Sequence, residues 1–179
     1  MFSYNFIKLF KEILTCDNMI NIKYLLIIGF VIGAMAFISP LSASDDVDVL
    51  KALDITPFSE DTVVTIDGID FNIPKGYGED KGLTKDNEIN TINGIDFITF
   101  MHSYKNKDLK FISIDIYYDA HKTGDIDSLP TDGQVKKTIK GNEGYLLNED
   151  GYCSFTYSTD GKIIMVTAEN ENVISDIII

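Results

Sequence analysis

The chain has no tryptophan and no arginine, and only two cysteines, two histidines and four prolines among 179 residues. Without arginine there is no planar fork for bidentate recognition of carboxylate or phosphate, and every cationic contact falls to lysine. Cys16 lies before the one long apolar run and Cys153 after it, so the part beyond that run cannot close a disulfide within itself. Its stability must come from a core. No cysteine ends the apolar run, which leaves lipid attachment of the bacterial kind without an acceptor, and no Asn-x-Ser/Thr sequon offers a site for N-glycosylation. His102 and His121 fall in no H-x-H or H-E-x-x-H spacing, so no two-histidine metal motif is present, and each is expected at a surface or a sheet edge.

What is abundant is acid. The net charge is −13. Removing Lys8, Lys11, Lys23, Glu12 and Asp17 leaves 12 lysines against 26 carboxylates after residue 44, a net of −14. Nucleic acid is thereby excluded as a partner, because phosphate binding is driven by Lys and Arg neutralising the backbone. The plain reading of the acid is a solvated surface that keeps an exported domain soluble. The sharper reading is a divalent-cation site: Asp125, Asp127 and Asp132 in "GDIDSLPTDG" can offer loop oxygens to Ca²⁺. The segment lacks the D-x-D-x-D-G order and distal Glu of an EF-hand.

Residues Tyr24–Ser44, "YLLIIGFVIGAMAFISPLSAS", carry no charge. Lys23 stands before them and Asp45, Asp46 and Asp48 after, an asymmetry that holds the N-terminal side in the cytoplasm. Two outcomes are open. Pro40 and the small-x-small "SAS" at Ser42–Ser44 read as the end of a secretory signal peptide, whereas the length of the run approaches the roughly 20 residues of a membrane-spanning anchor. Starting at Met19, "MINIK" and the apolar block have signal-peptide proportions, so Met1 and Met19 are both open as the start. The sequence thus divides into a leader with an apolar segment, 1–44, and a single extracytoplasmic domain, 45–179, secreted or anchored to the cell membrane.

Within that domain the fold class expected is α+β, an antiparallel sheet of hairpins flanked by a short N-terminal helix and a C-terminal helix. Val47, Leu50 and Leu53 in Ser44–Thr56 have helical spacing. From Asp61 the period becomes two: Val63–Ile66 and Ile69–Ile73 flank Asp67-Gly68, a strong hairpin signal. "TIDGIDF" at Thr65–Phe71 returns at Thr91–Phe97 as "TINGIDF", and "TIKG" at Thr138–Gly141 echoes it. Asn-Gly and Asp-Gly are the preferred type I′ pairs, so this is read as turn chemistry used repeatedly, the alternative being a relic of a duplicated hairpin. "KGYGEDKGLTKDNE" after Pro74 reads as a polar loop. Ile95–Tyr104, Lys110–Tyr118, Gln134–Ile139, Gly144–Leu147, Tyr152–Ser158 and Lys162–Ala168 read as strands, the last apolar on both faces as a central strand is. In "NENVISDIII", Val173, Ile174, Ile177 and Ile178 share a helical face, with Asn170 or Asn172 as cap.

Few residues invite chemistry. Cys153 alternates with Phe155 and Tyr157 and has no histidine near it in sequence, so it reads as a buried small hydrophobe and not as a nucleophile. Tyr104, Tyr117, Tyr118, Tyr145, Tyr152 and Tyr157 are numerous; core packing claims most, and any on an outer sheet face would form an amphipathic contact surface. No cofactor motif and no catalytic residue is assigned.

"FNIPKGYGED" resembles the F-x-I-P-x-G-W/Y/F opening of PsbP/Mog1-like α+β domains, over Phe71–Tyr77, with Tyr77 at the position commonly Trp. The resemblance implies an antiparallel sheet flanked by helices, serving as an accessory or binding module without enzymatic groups; it carries over no functional residue. The expected function is a non-enzymatic extracytoplasmic accessory or interaction domain with an envelope or surface protein partner. The alternative is a small-ligand or divalent-cation-binding accessory protein. Third is a hydrolase whose site is assembled in space and invisible in the sequence.

Overall fold

The computed structural model describes residues 49–92, 95–119, 133–149 and 151–179, with the backbone alone at 91, 92 and 95. Its architecture rests on tight turns. Asp67 and Gly68 both take positive φ, 46° and 80°, which is what a type I′ turn requires. They join β1 (Thr62–Ile66) to β2 (Ile69–Ile73), with Ile66 opposite Ile69. Lys140 and Gly141 repeat the pair at 50° and 85° between β7 (Gln134–Ile139) and β8 (Asn142–Glu149). Asp160 and Gly161 do so again at 51° and 72° between β9 (Tyr152–Thr159) and β10 (Lys162–Ala168). The recurring Thr-Ile-x-Gly is therefore a strand end followed by its turn. β4 (Lys85–Ile92) and β5 (Ile95–Lys105) also pair with Ile92 opposite Ile95, around Asn93-Gly94, which lies outside the described residues.

β1 and β2 form a two-stranded sheet of their own, while β4, β5 and β7 to β10, with β3 (Gly78–Glu79) and β6 (Phe111–Asp119), form an eight-stranded antiparallel sheet in the order β3-β5-β6-β10-β9-β8-β7, β4 lying off this path beside β5. β5 is long enough to hold two partners on one edge. β4 pairs with its first part and β3 with Tyr104 and Lys105 at its end. β10 is central and buried along its whole length.

One face of the sheet carries the core. Ile112, Ile114 and Ile116 of β6, Ile164 and Val166 of β10, and Cys153 and Phe155 of β9 meet Ile66, Phe71 and Ile73 of the β1–β2 hairpin. A C-terminal helix, α2 (Glu171–Ile177), closes this layer by packing on β2, β9 and β10. Asn170 caps it: the residue is extended and its side-chain oxygen accepts from the N–H groups of Asn172 and Val173. Ile174 and Ile177 are fully buried, each stabilising by roughly 1.5–3 kcal/mol. Beyond the helix, Ile178 makes an antiparallel bridge to Phe71, so the chain end is stitched to the hairpin.

The hairpin is also held at its turn. Lys162 Nζ lies 2.7 Å from Asp67 Oδ2 and 2.6 Å from the Asp67 carbonyl oxygen, and 5.4 Å from the centroid of the Tyr118 ring. A cation over an aromatic face adds to an ion pair already shielded from water.

The expected α+β class is corrected by these elements. Among the described residues strand makes up 60% and helix 10%, so they form an antiparallel β structure. Of the N-terminal helix that the Val47, Leu50, Leu53 spacing predicts, the described residues hold α1 (Val49–Ala52), with Leu50 buried. It stops where Asp54 turns to φ 56° and the Ile55 N–H bonds back to the Leu50 carbonyl, a left-handed C-terminal cap. The predicted polar loop after Pro74 holds β3 and the start of β4. These segments have little strand propensity of their own, and the long free edge of β5 supplies the hydrogen bonds that fix them as strands. Residues 1–48, with the apolar segment Tyr24–Ser44, lie outside the described residues. Among the described residues no helix is long and apolar enough to cross a membrane.

Candidate functional site

Alternation along β6 sends Ile112, Ile114 and Ile116 into the core and Ser113, Asp115 and Tyr117 to the opposite, second face. The registers extend this into three rows. Ser113 stands opposite Ser103 of β5 and Thr167 of β10; Asp115 opposite Met101 and Met165; Tyr117 opposite Thr99 and Ile163. On β9, Ser154 and Thr156 continue the first two rows beside Thr167 and Met165. The described elements that cover the sheet, β1–β2 and α2, pack on the first face. Such a second face is ordinarily solvated. Here it is buried and rich in hydroxyls, with Thr99, Ser103, Ser113, Ser154, Thr156 and Thr167 all buried.

Thr99, Ser113, Ser154 and Thr167 have partners. The Ser154 and Thr167 hydroxyls share a hydrogen bond at 2.8 Å. Thr99 Oγ1 accepts from Asn90 Nδ2 at 2.9 Å and donates to the Glu88 carbonyl at 3.2 Å. The Ser113 hydroxyl donates to Asp115 Oδ2 at 2.9 Å. Two atoms are left over: Asp115 Oδ1 and the Tyr117 hydroxyl have no hydrogen-bond partner among the described residues, although Asp115 is 3% exposed and Tyr117 9%. Asp67 Oδ2 and Glu169 Oε2 also lack a well-directed hydrogen bond, but each lies against a lysine ammonium, at 2.7 and 2.6 Å. Among the described residues Asp115 has no such cation.

An open buried acceptor costs about 1–3 kcal/mol, and more when it is charged. Burial accordingly pushes the Asp115 carboxyl up from 3.8 to about 7, against the opposing effect of the Ser113 hydrogen bond. The Tyr117 phenol is raised by burial first and by the charge of Asp115 second. Near neutral pH this strand therefore presents a carboxyl close to its midpoint and a neutral phenol, each with a polar atom unpaired among the described residues.

The residues that the sequence singles out fall elsewhere. Asp125, Asp127, Asp132 and His121 lie outside the described residues. Among the described residues no group of three or more His, Cys, Asp or Glu side chains is placed to hold a metal ion. Cys153 is in the core at 1% exposure, and burial raises its thiol further. His102 is shielded beside the β5 edge, with Nε2 2.8 Å from Asp86 Oδ1 and Nδ1 3.5 Å from Glu79 Oε1. The two carboxylates approach opposite ring nitrogens, so they do not converge on one ion. Of the tyrosines, Tyr104 and Tyr157 are in the core and Tyr117 and Tyr152 are buried on the second face, where the Tyr152 hydroxyl donates to Glu149.

Asp115 escapes a reading of the sequence because "FISIDIYY" shows only alternation, and the polar set of an alternating strand is ordinarily assigned to solvent. The signal the sequence does hold is an acid two residues from a Ser and two from a Tyr, in a strand whose alternate positions are isoleucines.

No family model, no curated protein and no solved structure matches this chain.

Proposed function

We propose that this is a non-enzymatic extracytoplasmic accessory domain, secreted or tethered to the membrane by the apolar segment Tyr24–Ser44, which acts by binding through the second face of its sheet. The observation that carries this reading is the pair of open polar groups, Asp115 Oδ1 and the Tyr117 hydroxyl, in a face where the neighbouring hydroxyls are paired. Buried polar atoms are filled in nearly all folded proteins, so an open pair on one face points to something that fills it. The acidic balance favours partners other than nucleic acid. An accessory or binding role is also what the resemblance of Phe71–Tyr77 to PsbP/Mog1-like domains implies. Binding is favoured over hydrolysis because the thiol of Cys153 is sealed in the core and both ring nitrogens of His102 face carboxylates.

The partner class is a protein of the envelope or cell surface. A small ligand is the second reading, and the open acceptor of Asp115 favours it specifically. Protease added to intact cells that make the full chain tests the location: digestion from residue 45 onward is expected, and complete protection overturns export. Thermal unfolding of the full chain in detergent, against sugars, metabolites, amines and divalent ions, tests the binding. A ligand at about a hundred times its Kd stabilises by roughly 2.7 kcal/mol, a shift of a few degrees. No shift with any class, together with no specific cross-link in the native envelope, overturns the binding role.

A further inference from the structure

The open acceptor at Asp115 calls for a donor, and the described chain does not supply one. β6 lies between β5 and β10. On the second face, the charged or titratable groups of these three strands are Lys105 on β5 and Tyr117 and Asp119 beside Asp115 on β6; β10 contributes none. Lys105 is committed to Asp80, with Nζ 2.7 Å from Oδ2. Among the described residues the carboxylate is thus buried without a cation, the arrangement that a positively charged guest relieves most. A divalent metal fits poorly, since Ca²⁺ and Mg²⁺ take six or more oxygen ligands and one carboxylate dominates here. An ammonium group fits better: it brings three N–H donors and no acceptor. Asp115 Oδ1 and the Tyr117 hydroxyl both have lone pairs to receive them. Met101 and Met165 stand opposite Asp115 on the two flanking strands, and their flexible thioether chains suit an alkyl group of undefined shape.

Resting on the reading of the second face as a binding surface, we propose that the Asp115 region binds the ammonium head of a small primary alkylamine. Asp115 Oδ1 and the Tyr117 hydroxyl accept its N–H bonds, and Met101 and Met165 contact its chain. No bond is made or broken.

Calorimetric titration of the full chain in detergent at pH 8 tests this, with n-butylamine and 1,4-diaminobutane as probes. Butanol, butyrate and tetramethylammonium serve as controls that lack the charge, reverse it, or carry it without an N–H. Both amines are expected to bind and the controls not to. Asp115→Asn keeps the side-chain volume and removes a destabilising buried charge, so it is expected to fold; it should weaken amine binding by about tenfold or more, as loss of a charge-assisted hydrogen bond does. Tyr117→Phe, with its unfolding midpoint confirmed, should weaken binding severalfold. Absence of amine binding, equal binding of tetramethylammonium, or unchanged affinity in Asp115→Asn overturns the proposal. If the amines fail while another ligand class shifts the unfolding midpoint, this inference falls and the broader binding role stands.

Discussion

The Ser113 hydroxyl donates to Asp115 Oδ2 at 2.9 Å from the same strand and the same face, while Asp115 Oδ1 has no partner among the described residues. One hydrogen bond does not offset the loss of water, so burial holds the folded-state carboxyl at about 7. The unfolded chain releases the same proton near 4. Between those values the folded state binds the extra proton, so stability falls as pH rises, and the full penalty is present above about 7. Asp115→Asn removes this titration. The variant should gain on the wild type by about 2–4 kcal/mol above pH 7, and the two should converge as pH falls towards 4. Urea unfolding of both proteins from pH 4 to 8 measures the difference; one that does not change with pH contradicts the assignment.

Lys162 and Asp67 make a second prediction. Their side chains are 10% and 23% exposed, and Lys162 also donates to the Asp67 carbonyl oxygen. Lys162→Met loses both contacts and should cost about 2–3 kcal/mol, less than the roughly 3–5 kcal/mol for breaking a fully buried pair. Asp67→Asn keeps the carbonyl contact and a residue tolerant of positive φ, so it should cost less. A double-mutant cycle on thermal unfolding reads the coupling. Equal costs for the two single changes would contradict a clamp that works through the backbone as well as the carboxylate.

Two glycines separate steric from torsional need. A Cβ on Gly144 would run into the Thr156 carbonyl oxygen and come 2.8 Å from the Phe155 ring. The backbone there cannot yield cheaply, so Gly144→Ala should cost about 3 kcal/mol or more. Gly68 has φ +80° and nothing within 4 Å of its would-be Cβ, so Gly68→Ala should cost only about 1–2 kcal/mol of backbone strain. Calorimetric midpoints of the two variants would give the ranking, and a reversed order would refute the packing described around β8 and β9.

The turns, and the strands that carry their own pattern, are legible in the amino-acid sequence. Asp67-Gly68 and Asp160-Gly161 announce hairpins by chemistry alone, and the alternation of Ile112, Ile114 and Ile116 marks one face of β6 as core. β3 and β4 are not legible, because Gly78–Glu79 and Lys85–Ile92 are strands by virtue of the β5 edge beside them, a contact distant in sequence. The end of the N-terminal helix is not where the spacing puts it: Leu53 shares the helical period of Leu50 but falls in the turn after Ala52, which Asp54 completes at positive φ. Asp115 is hidden for a related reason: its burial is a property of the fold, in which Met101 and Met165 from strands distant in sequence stand on either side of it.

Cys153 gives a chemical check on the first face. In a Cys16→Ser chain the remaining thiol is buried, and burial raises its pKa, so a thiol reagent should modify it only as fast as the domain opens. Adding denaturant to the unfolding midpoint should release rapid labelling. Fast modification of the native chain would show that the layer formed by α2 and the β1–β2 hairpin does not seal β9.

The most direct measurement is a carboxyl ¹³C NMR titration of the full chain labelled at aspartate, with the Asp115 signal assigned by its loss in Asp115→Asn. A midpoint near 7 is expected if the carboxyl is buried without a cation on the second face. A midpoint in the ordinary carboxylate range near 4 would mean that the group is solvated or already paired, and the second face would lose its claim as the binding surface.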